Sequence, residues 1–164
     1  MNTSRKEPRL SMLLHPAHFL SFGFGSGFSP IAPGTAGTAI TLPIFWLMSS
    51  LSPWQYLAAV LLMFVIGVWV CEITSRHLGV HDHGAIVWDE VVGYLLTMVM
   101  VPAELTWMII GFFVFRLFDI WKPWPTRDLD RSVKGGFGIM LDDVMAAVYS
   151  SITMQVMLYI WRSV

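Results

Sequence analysis

Apolar residues along this chain fall into five runs, separated by short segments that contain polar residues, proline or glycine. Two runs, residues 54–71 and 144–161, each hold 18 residues without a charge. As α-helix, 18 residues extend about 27 Å, close to the thickness of bilayer hydrocarbon. The shorter runs are residues 38–51, 91–101 and 105–121, the last being apolar except for Arg116 and Asp119. This pattern predicts an all-α fold: a compact bundle of about five or six helices, membrane-embedded or membrane-associated.

The chain divides into a short N-terminal segment and one domain. Residues 1–14 are polar and charged, and we expect them to be a flexible segment, as chain termini often are. Residues 15–164 are predicted to form a single helical domain. Its helices are separated by Ser52 and Pro53, by Gly79 and by Pro102, residues that stop or start helices.

Tracing the chain through these helices places almost every charge at one end of the bundle. The turns at residues 49–53 and 102–104 share one end, which we name the far face. The start of the first long helix near residue 35 and the loops 78–87 and 122–141 share the other end, the near face. Ten of the eleven acidic residues and nine of the ten Lys and Arg residues lie there, the exceptions being Glu104 and Arg162. Because cytoplasmic loops carry the excess of Lys and Arg, the near face is predicted to be cytoplasmic.

The composition also indicates a membrane protein rather than an ordinary soluble domain. Hydrophobic residues make up 55% of the chain and charged residues 13%, against roughly 25% charged in typical globular proteins. The formal charge of −1 and the absence of a basic stripe argue against nucleic-acid binding. The single cysteine, Cys71, excludes an intramolecular disulfide and a cysteine-based zinc site. We expect a protein of the bacterial inner membrane.

Three acidic clusters from separate segments are predicted to meet on the near face. They comprise Asp89 and Glu90, Asp119, and Asp142 and Asp143. Asp89 and Asp142 have an alternative role as helix caps, whereas Asp119 lies near a predicted helix C-terminus, where the dipole disfavours a carboxylate. Crowded carboxylates repel one another unless a cation binds them, and Mg²⁺ prefers such oxygen ligands. All five residues are therefore predicted as candidate Mg²⁺ ligands and catalytic residues. Because adjacent residues on a helix point about 100° apart, one member of each adjacent pair can bind the metal while the other orients water or a neighbour.

Cations and glycines near these carboxylates are candidates for binding the phosphate of a substrate. The predicted residues are Arg116, Lys122 and, in a glycine-rich turn that opens a helix, Gly34, Thr35 and Gly37. Arg127, in the segment WKPWPTR, is a further candidate for phosphate or lipid head groups. Each of these assignments has an alternative that does not involve phosphate. Arg116 can instead neutralise Asp119, and the glycines can instead allow close packing of helices.

Two other features are less indicative of a functional site. The sequence HDH at residues 81–83 lacks the further ligands of a usual zinc site, and a solvated polar turn is the favoured interpretation. Cys71 lies within an apolar run, which favours a packing role.

Four motifs together resemble the phosphatidylglycerophosphatase A family. They are GFGSGFSPIAPGTAG, VHDHGAIVWDEVVG, FRLFDIWKPWP and GGFGIMLDD, and the similarity extends from about Pro16 to about Ser150. The resemblance implies that residues 15–164 form an all-helical domain of that family. It also implies Mg²⁺-dependent removal of the terminal phosphate of phosphatidylglycerophosphate, which gives phosphatidylglycerol on the cytoplasmic side of the inner membrane.

Three other functions remain as alternatives. A Mg²⁺-dependent phospholipid head-group transferase also uses clustered aspartates, but its Asp-x-x-Asp-Gly repeat on one segment is missing here. A small cation-binding membrane transporter needs polar residues midway along several helices, whereas the polar residues of this chain stop at one end. A purely structural membrane subunit is the last alternative.

Overall fold

The computed structural model describes residues 7–124, 126 and 133–163, so Arg127 and residues 1–6 of the predicted N-terminal segment lie outside the described residues. Two 3₁₀ helices, Leu10–Leu14 and Gly23–Phe28, flank the first α-helix. The α-helices are α1 (Pro16–Ser21), α2 (Pro33–Met48), α3 (Pro53–Leu78), α4 (Trp88–Thr97), α5 (Leu105–Trp121) and α6 (Gly135–Ser163). No strand occurs in the described part of the chain, which confirms the all-α class and the predicted number of helices.

Local sequence signals explain where the longest internal helix begins and ends. Before α3, the backbone N–H of Ser52 donates to Gln55 Oε1 at 3.0 Å, and Pro53 occupies the first helical position. The helix ends at Gly79, whose φ of 70° suits glycine. The charge-free run 54–71 lies inside α3, and α5 has the bounds of the predicted run 105–121.

The start of the last helix differs from its prediction. The sequence indicated a loop up to residue 141 with a helix leaving from Asp142, but α6 begins at Gly135. Asp142 and Asp143 therefore lie about two turns inside the helix, and an N-terminal capping role for Asp142 is wrong. The prediction differs because the start of α6 is rich in glycine. Glycine is typical of loops, but here it allows the helix to pack closely on α3.

The short helix α4 is the centre of the bundle. It packs against α2, α3, α5 and α6, and Val91, Val92, Tyr94 and Leu95 are completely buried. A helix buried on all sides can be apolar all round, which explains why this run lacks a polar face. The first turn of α4 therefore lies in the middle of the near face.

Contacts at the two ends of the bundle confirm the predicted layout. At the near face, the start of α2 meets the start of α4 and the end of α5, and the end of α3 meets the start of α6. At the far face, the end of α2, the start of α3 and the segment after α4 line one cavity of about 260 Å³, whose walls include Phe45, Tyr56 and Met98.

The outer surface of the bundle is rich in large apolar side chains. Trp46, Trp54, Trp69 and Trp161 are each at least 60% exposed. The helices α3 and α6 are long and apolar enough to cross a membrane, since each contains an 18-residue window of high mean hydropathy, 2.4 in α3 and 1.4 in α6. Extended apolar surfaces of this kind are rare on soluble monomers and typical of sites that meet lipid or protein. The surface therefore fits the predicted membrane association.

Candidate active site

Two of the predicted carboxylates enter the near face from the first turn of α4. The preceding loop is fixed where the Val87 N–H donates to the Ser21 carbonyl at 2.9 Å, and α4 begins one residue later. Asp89 and Glu90 then follow at the second and third positions of the helix, and the Asp89 side chain is buried. The N-cap residue is Val87, so Asp89 is not the capping residue, although both carboxylates lie in the first turn, where the helix dipole favours negative charge.

The third carboxylate comes from α6, which approaches α4 closely at Gly93. A Cβ at Gly93 would lie 3.1 Å from the Cβ of Asp143 and 2.6 Å from the Phe115 ring, so only glycine permits this approach. Asp143 is 3% exposed. One carboxylate oxygen each from Asp89, Glu90 and Asp143 lies within 4.8 Å of the other two, and we name these three residues the acidic triad.

Burial dominates the electrostatics of this triad. It raises the pKa of Asp89 well above the usual value, and the nearby carboxylates of Glu90 and Asp143 raise that pKa further. Burial also raises the pKa of Glu90 to about 7, although Arg116 favours its charged form. Three carboxylates held this close do not all ionise without a compensating positive charge.

The triad fits a divalent cation with hard oxygen ligands. Asp89 Oδ1, Glu90 Oε2 and Asp143 Oδ2 are buried and have no hydrogen-bond partner among the described residues. Oxygens bound at about 2.1 Å to one Mg²⁺ lie up to about 4.2 Å apart, so small side-chain movements suffice for shared binding. Among the residues that the structure describes, this is the one group of three or more His, Cys, Asp and Glu with the spacing for a metal.

The other two predicted carboxylates are paired with the predicted cations. Arg116 Nη1 lies 2.5 Å from Asp119 Oδ2 and 3.6 Å from Glu90 Oε1, and Lys122 Nζ forms an ion pair with Asp142 Oδ2. The structure thus places Asp119 and Asp142 around the triad, each with a cation. Arg116 neutralises Asp119, as one of the two interpretations had it, and also faces the triad through Glu90.

The helix end at α5 explains where Lys122 points. The helix stops at Trp121, and Lys122 takes the left-handed conformation with φ of 47°. Non-glycine residues rarely adopt this conformation, and its cost is commonly found at functional sites. Because α5 does not continue, Lys122 lies off the face that holds Asp119 and reaches Asp142 on α6 instead.

The glycines of the predicted phosphate-binding turn lie against other helices. A Cβ at Gly34 would clash with Glu90 Oε1 and lie 3.0 Å from Arg116 Nη1. At Gly37 a Cβ would lie 2.7 Å from the Val87 Cβ, so this glycine allows α2 to approach the start of α4. Thr35, in the first turn of α2, is partly exposed. The structure therefore brings Gly34 to the acidic site and gives Gly37 a packing contact, while a role of Thr35 stays a prediction.

The histidines occupy a separate part of the near face. His15, His18 and His77 line a cavity of about 860 Å³ that does not include the triad, and His18 Nε2 lies 3.0 Å from His77 Nδ1. In the loop before α4, the Ala85 N–H donates to His83 Nδ1 at 3.1 Å, and His81 Nε2 lies 3.3 Å from the Val133 carbonyl oxygen. Cys71 is buried in the core, which agrees with a packing role.

Sequence reasoning assigned no role to Glu72, although it contacts the helix that carries Asp143. The Gly136 N–H donates to Glu72 Oε2 at 2.5 Å. The sequence holds only weak signals for this contact. Glu72 is the first charge after a long apolar run, and Gly135 and Gly136 lie more than 60 residues after it in the chain. Only the tertiary contact between α3 and α6 connects them.

Comparison with known proteins identifies one family. The family profile described as "Phosphatidylglycerophosphatase A" matches residues 19–158. A phosphatidylglycerophosphatase A of Escherichia coli (strain K12) is 49% identical over 139 residues, which cover 84% of this chain and 80% of the relative. The Haemophilus influenzae protein of the same name is 45% identical over 142 residues, covering 85% and 87%.

A third relative carries a different name. A putative phosphatidylinositol-3-phosphatase of Bacteroides thetaiotaomicron is 40% identical over 142 residues, which cover 82% of this chain and 88% of the relative. No solved structure matches the chain.

Proposed function

The chain belongs to the phosphatidylglycerophosphatase A family, and we propose that it hydrolyses the terminal phosphate of phosphatidylglycerophosphate to give phosphatidylglycerol. The observation that carries this proposal is the acidic triad: three carboxylates from two helices, within 4.8 Å of one another, each with a buried oxygen that has no hydrogen-bond partner among the described residues. Such a triad, with Arg116 and Lys122 on the neighbouring carboxylates, is suited to binding a divalent cation together with the phosphate of an ester.

We propose that Mg²⁺ is the cofactor and that Asp89, Glu90 and Asp143 hold it. When bound, Mg²⁺ would supply positive charge that stabilises the negative charge developing on the phosphoryl oxygens. Asp119 and Asp142 are proposed to act at the same site as the carboxylates next to the triad, each oriented by its ion pair. This sorts the five predicted residues into three metal ligands and two neighbours.

The remaining chemistry is proposed for the side chains around the triad. Arg116 and Lys122 offset the charge of the substrate phosphate and hold its oxygens in one orientation. One carboxylate of the cluster accepts a proton from the water that attacks phosphorus, and a second carboxyl group, in its protonated form, gives its proton to the glycerol oxygen as the P–O bond to that oxygen breaks. The amides at Gly34 and Thr35, at the start of α2, add further donors for the phosphate.

A position at the membrane boundary explains how a lipid reaches this site. The helices α3 and α6 are proposed to cross the bacterial inner membrane, with the near face on the cytoplasmic side. The lipid tails then stay in hydrocarbon while the head group reaches the triad. The arrangement also accounts for the exposed tryptophans, since Trp is enriched at both membrane interfaces.

The test is release of inorganic phosphate from phosphatidylglycerophosphate by the purified protein in mixed micelles. We expect release with Mg²⁺ and none with excess EDTA, with activity restored by returning Mg²⁺. Phosphatidylinositol 3-phosphate is the comparison substrate, because one relative is named for it. Full activity in EDTA would disprove the metal, and hydrolysis of the inositol lipid alone would disprove the proposed substrate.

The proposed orientation has its own test in intact cells. A membrane-impermeant maleimide should label Ser50→Cys at the exposed far face, and should label Arg76→Cys at the near face only after the membrane is opened. The native Cys71 is buried and gives little background. Labelling of Arg76→Cys in intact cells would place the near face outside.

A further inference from the structure

The first turn of α6 is bound to α3 by a side chain that the proposed chemistry does not use. The Gly136 N–H donates to Glu72 Oε2 at 2.5 Å, while the other oxygen, Oε1, lies 2.5 Å from Arg76 Nε. Amides in the first turn of a helix have no partner within the helix, and a carboxylate there is favoured by both hydrogen bonding and the helix dipole. Glu72 therefore caps α6 from a neighbouring helix.

Glycines bring the two helices close enough for this contact. Gly135 begins α6 with φ of 79°, and a Cβ there would lie 2.6 Å from Glu72 Oε2. A Cβ at Gly136 would clash with the Val68 carbonyl oxygen and lie 2.7 Å from the Glu72 backbone nitrogen. With no side chain between them, the start of α6 rests directly on the α3 backbone, and the hydrogen bond fixes its rotation.

The rotation of α6 decides where Asp143 points. Asp143 lies eight residues after Gly135, about 12 Å along a rigid helix. The helix is clamped at both places, because Asp143 also lies beside Gly93 of α4. A turn of α6 about its axis moves the Asp143 carboxylate away from Asp89 and Glu90, whose positions are set by a different helix.

We propose that Glu72 is a positioning residue: its hydrogen bond to the Gly136 N–H sets the rotation of α6 and thereby completes the acidic triad with Asp143. It touches neither the substrate nor the metal. The inference rests on the proposed function for its effect on turnover, but its effect on cation binding does not depend on the identity of the substrate.

The test compares two substitutions of Glu72 in the full chain. Glu72→Ala removes the acceptor, whereas Glu72→Gln keeps an acceptor oxygen and removes the charge. Residues that orient metal ligands typically change metal affinity or activity by about 10- to 100-fold. We expect Glu72→Ala to weaken Mn²⁺ binding, measured by electron paramagnetic resonance, and to lower kcat within that range with KM for the lipid little changed. Glu72→Gln should restore both to near wild type.

Arg76→Gln is the matched control, because Arg76 binds the same carboxylate but its side chain is 79% exposed. Exposed ion pairs contribute little, so Mn²⁺ affinity and kcat should stay at the wild-type level. If Glu72→Ala retains both values, or if Glu72→Gln is as impaired as Glu72→Ala, the positioning role is wrong.

Two further results keep the outcomes distinct. Should Glu72→Ala fail to fold, Glu72→Asp replaces it, since aspartate keeps the charge but is one methylene too short; activity higher in the Asp variant than in the Gln variant would overturn the proposal. If the wild type releases no phosphate from phosphatidylglycerophosphate but Glu72→Ala still weakens Mn²⁺ binding, the proposed function fails and the positioning role stands.

Discussion

The near and far faces of the bundle differ in whether their buried polar groups have hydrogen-bond partners. At the far face, the buried Tyr56 hydroxyl donates to the Leu95 carbonyl at 2.7 Å. At the near face, oxygens of all three triad residues are buried without a hydrogen-bond partner among the described residues. Unpaired buried polar groups are costly. The difference indicates that the far face serves stability, whereas the near face accepts an electrostatic cost that a bound cation can relieve.

Removing one triad carboxylate should give the largest difference between the two faces. Asp89→Asn replaces a ligand oxygen and its charge, and we expect activity to fall by more than about 100-fold, since even outer residues of metal sites cost 10- to 100-fold. Glu104→Gln, the matched change at the far face, should leave phosphate release unchanged. Equal losses in the two variants would show that charge at the far face matters as much, and the contrast would be lost.

Cation binding should reverse the electrostatic cost of the near face. At Mg²⁺ concentrations 100 times its Kd, we expect the free energy of unfolding to rise by about 2.7 kcal/mol. The measurement is thermal or denaturant unfolding in detergent with Mg²⁺ and with EDTA. Asp143→Asn should lose the stabilisation, while Glu104→Gln should keep it. A stabilisation that survives Asp143→Asn would place the cation elsewhere.

Two buried helical glycines, Gly34 at the near face and Gly111 in the middle part of α5, extend the comparison to packing. A Cβ at Gly34 clashes with Glu90 Oε1, so Gly34→Ala should displace Glu90 and lower activity by about 10- to 100-fold. The Cβ of Gly111→Ala meets the flexible ends of the Met98 and Met154 side chains, which can move aside. This second variant should keep its activity. Phosphate release per folded protein, with folding checked by circular dichroism, separates the two results.

The smallest effect should come from the hydrogen bond at the far face. Tyr56→Phe removes the hydroxyl that donates to the Leu95 carbonyl, which should cost about 1 kcal/mol in the free energy of unfolding. Activity and Mg²⁺ affinity should not change, because the substitution lies at the end of the bundle away from the triad. A loss of turnover in this variant would show that the two faces are coupled.

Much of the fold was predictable because hydrophobic runs and helix-breaking residues carry local information. The run 105–121 became α5 with the same bounds, and the charge-free run 54–71 lies inside α3. The start of α6 was not predictable in this way. Gly135 and Gly136 have low helix propensity, and only contact with Val68 and Glu72 of α3 makes a helix favourable there.

The candidate site was predictable as a set of residues but not as an arrangement. The sequence indicated five carboxylates on one face, and the structure brings all five to the near face. The sequence offered the Arg116–Asp119 ion pair as one alternative, but it did not indicate that Lys122 pairs with Asp142 or that Asp89, Glu90 and Asp143 form the triad. In a pair of adjacent carboxylates, the rotation of the helix decides which side chain points inward. No local sequence pattern predicts that rotation.

The sequence by itself determined the helices and the separation of charge between the two ends, because the cost of placing charges in an apolar environment depends on each segment's own composition. Tertiary structure alone decided which carboxylates meet, which cations neutralise the others, and where α6 begins. The reason is that these features depend on the rotation and close approach of helices far apart in the chain, set by contacts at Gly34, Gly93 and Gly136.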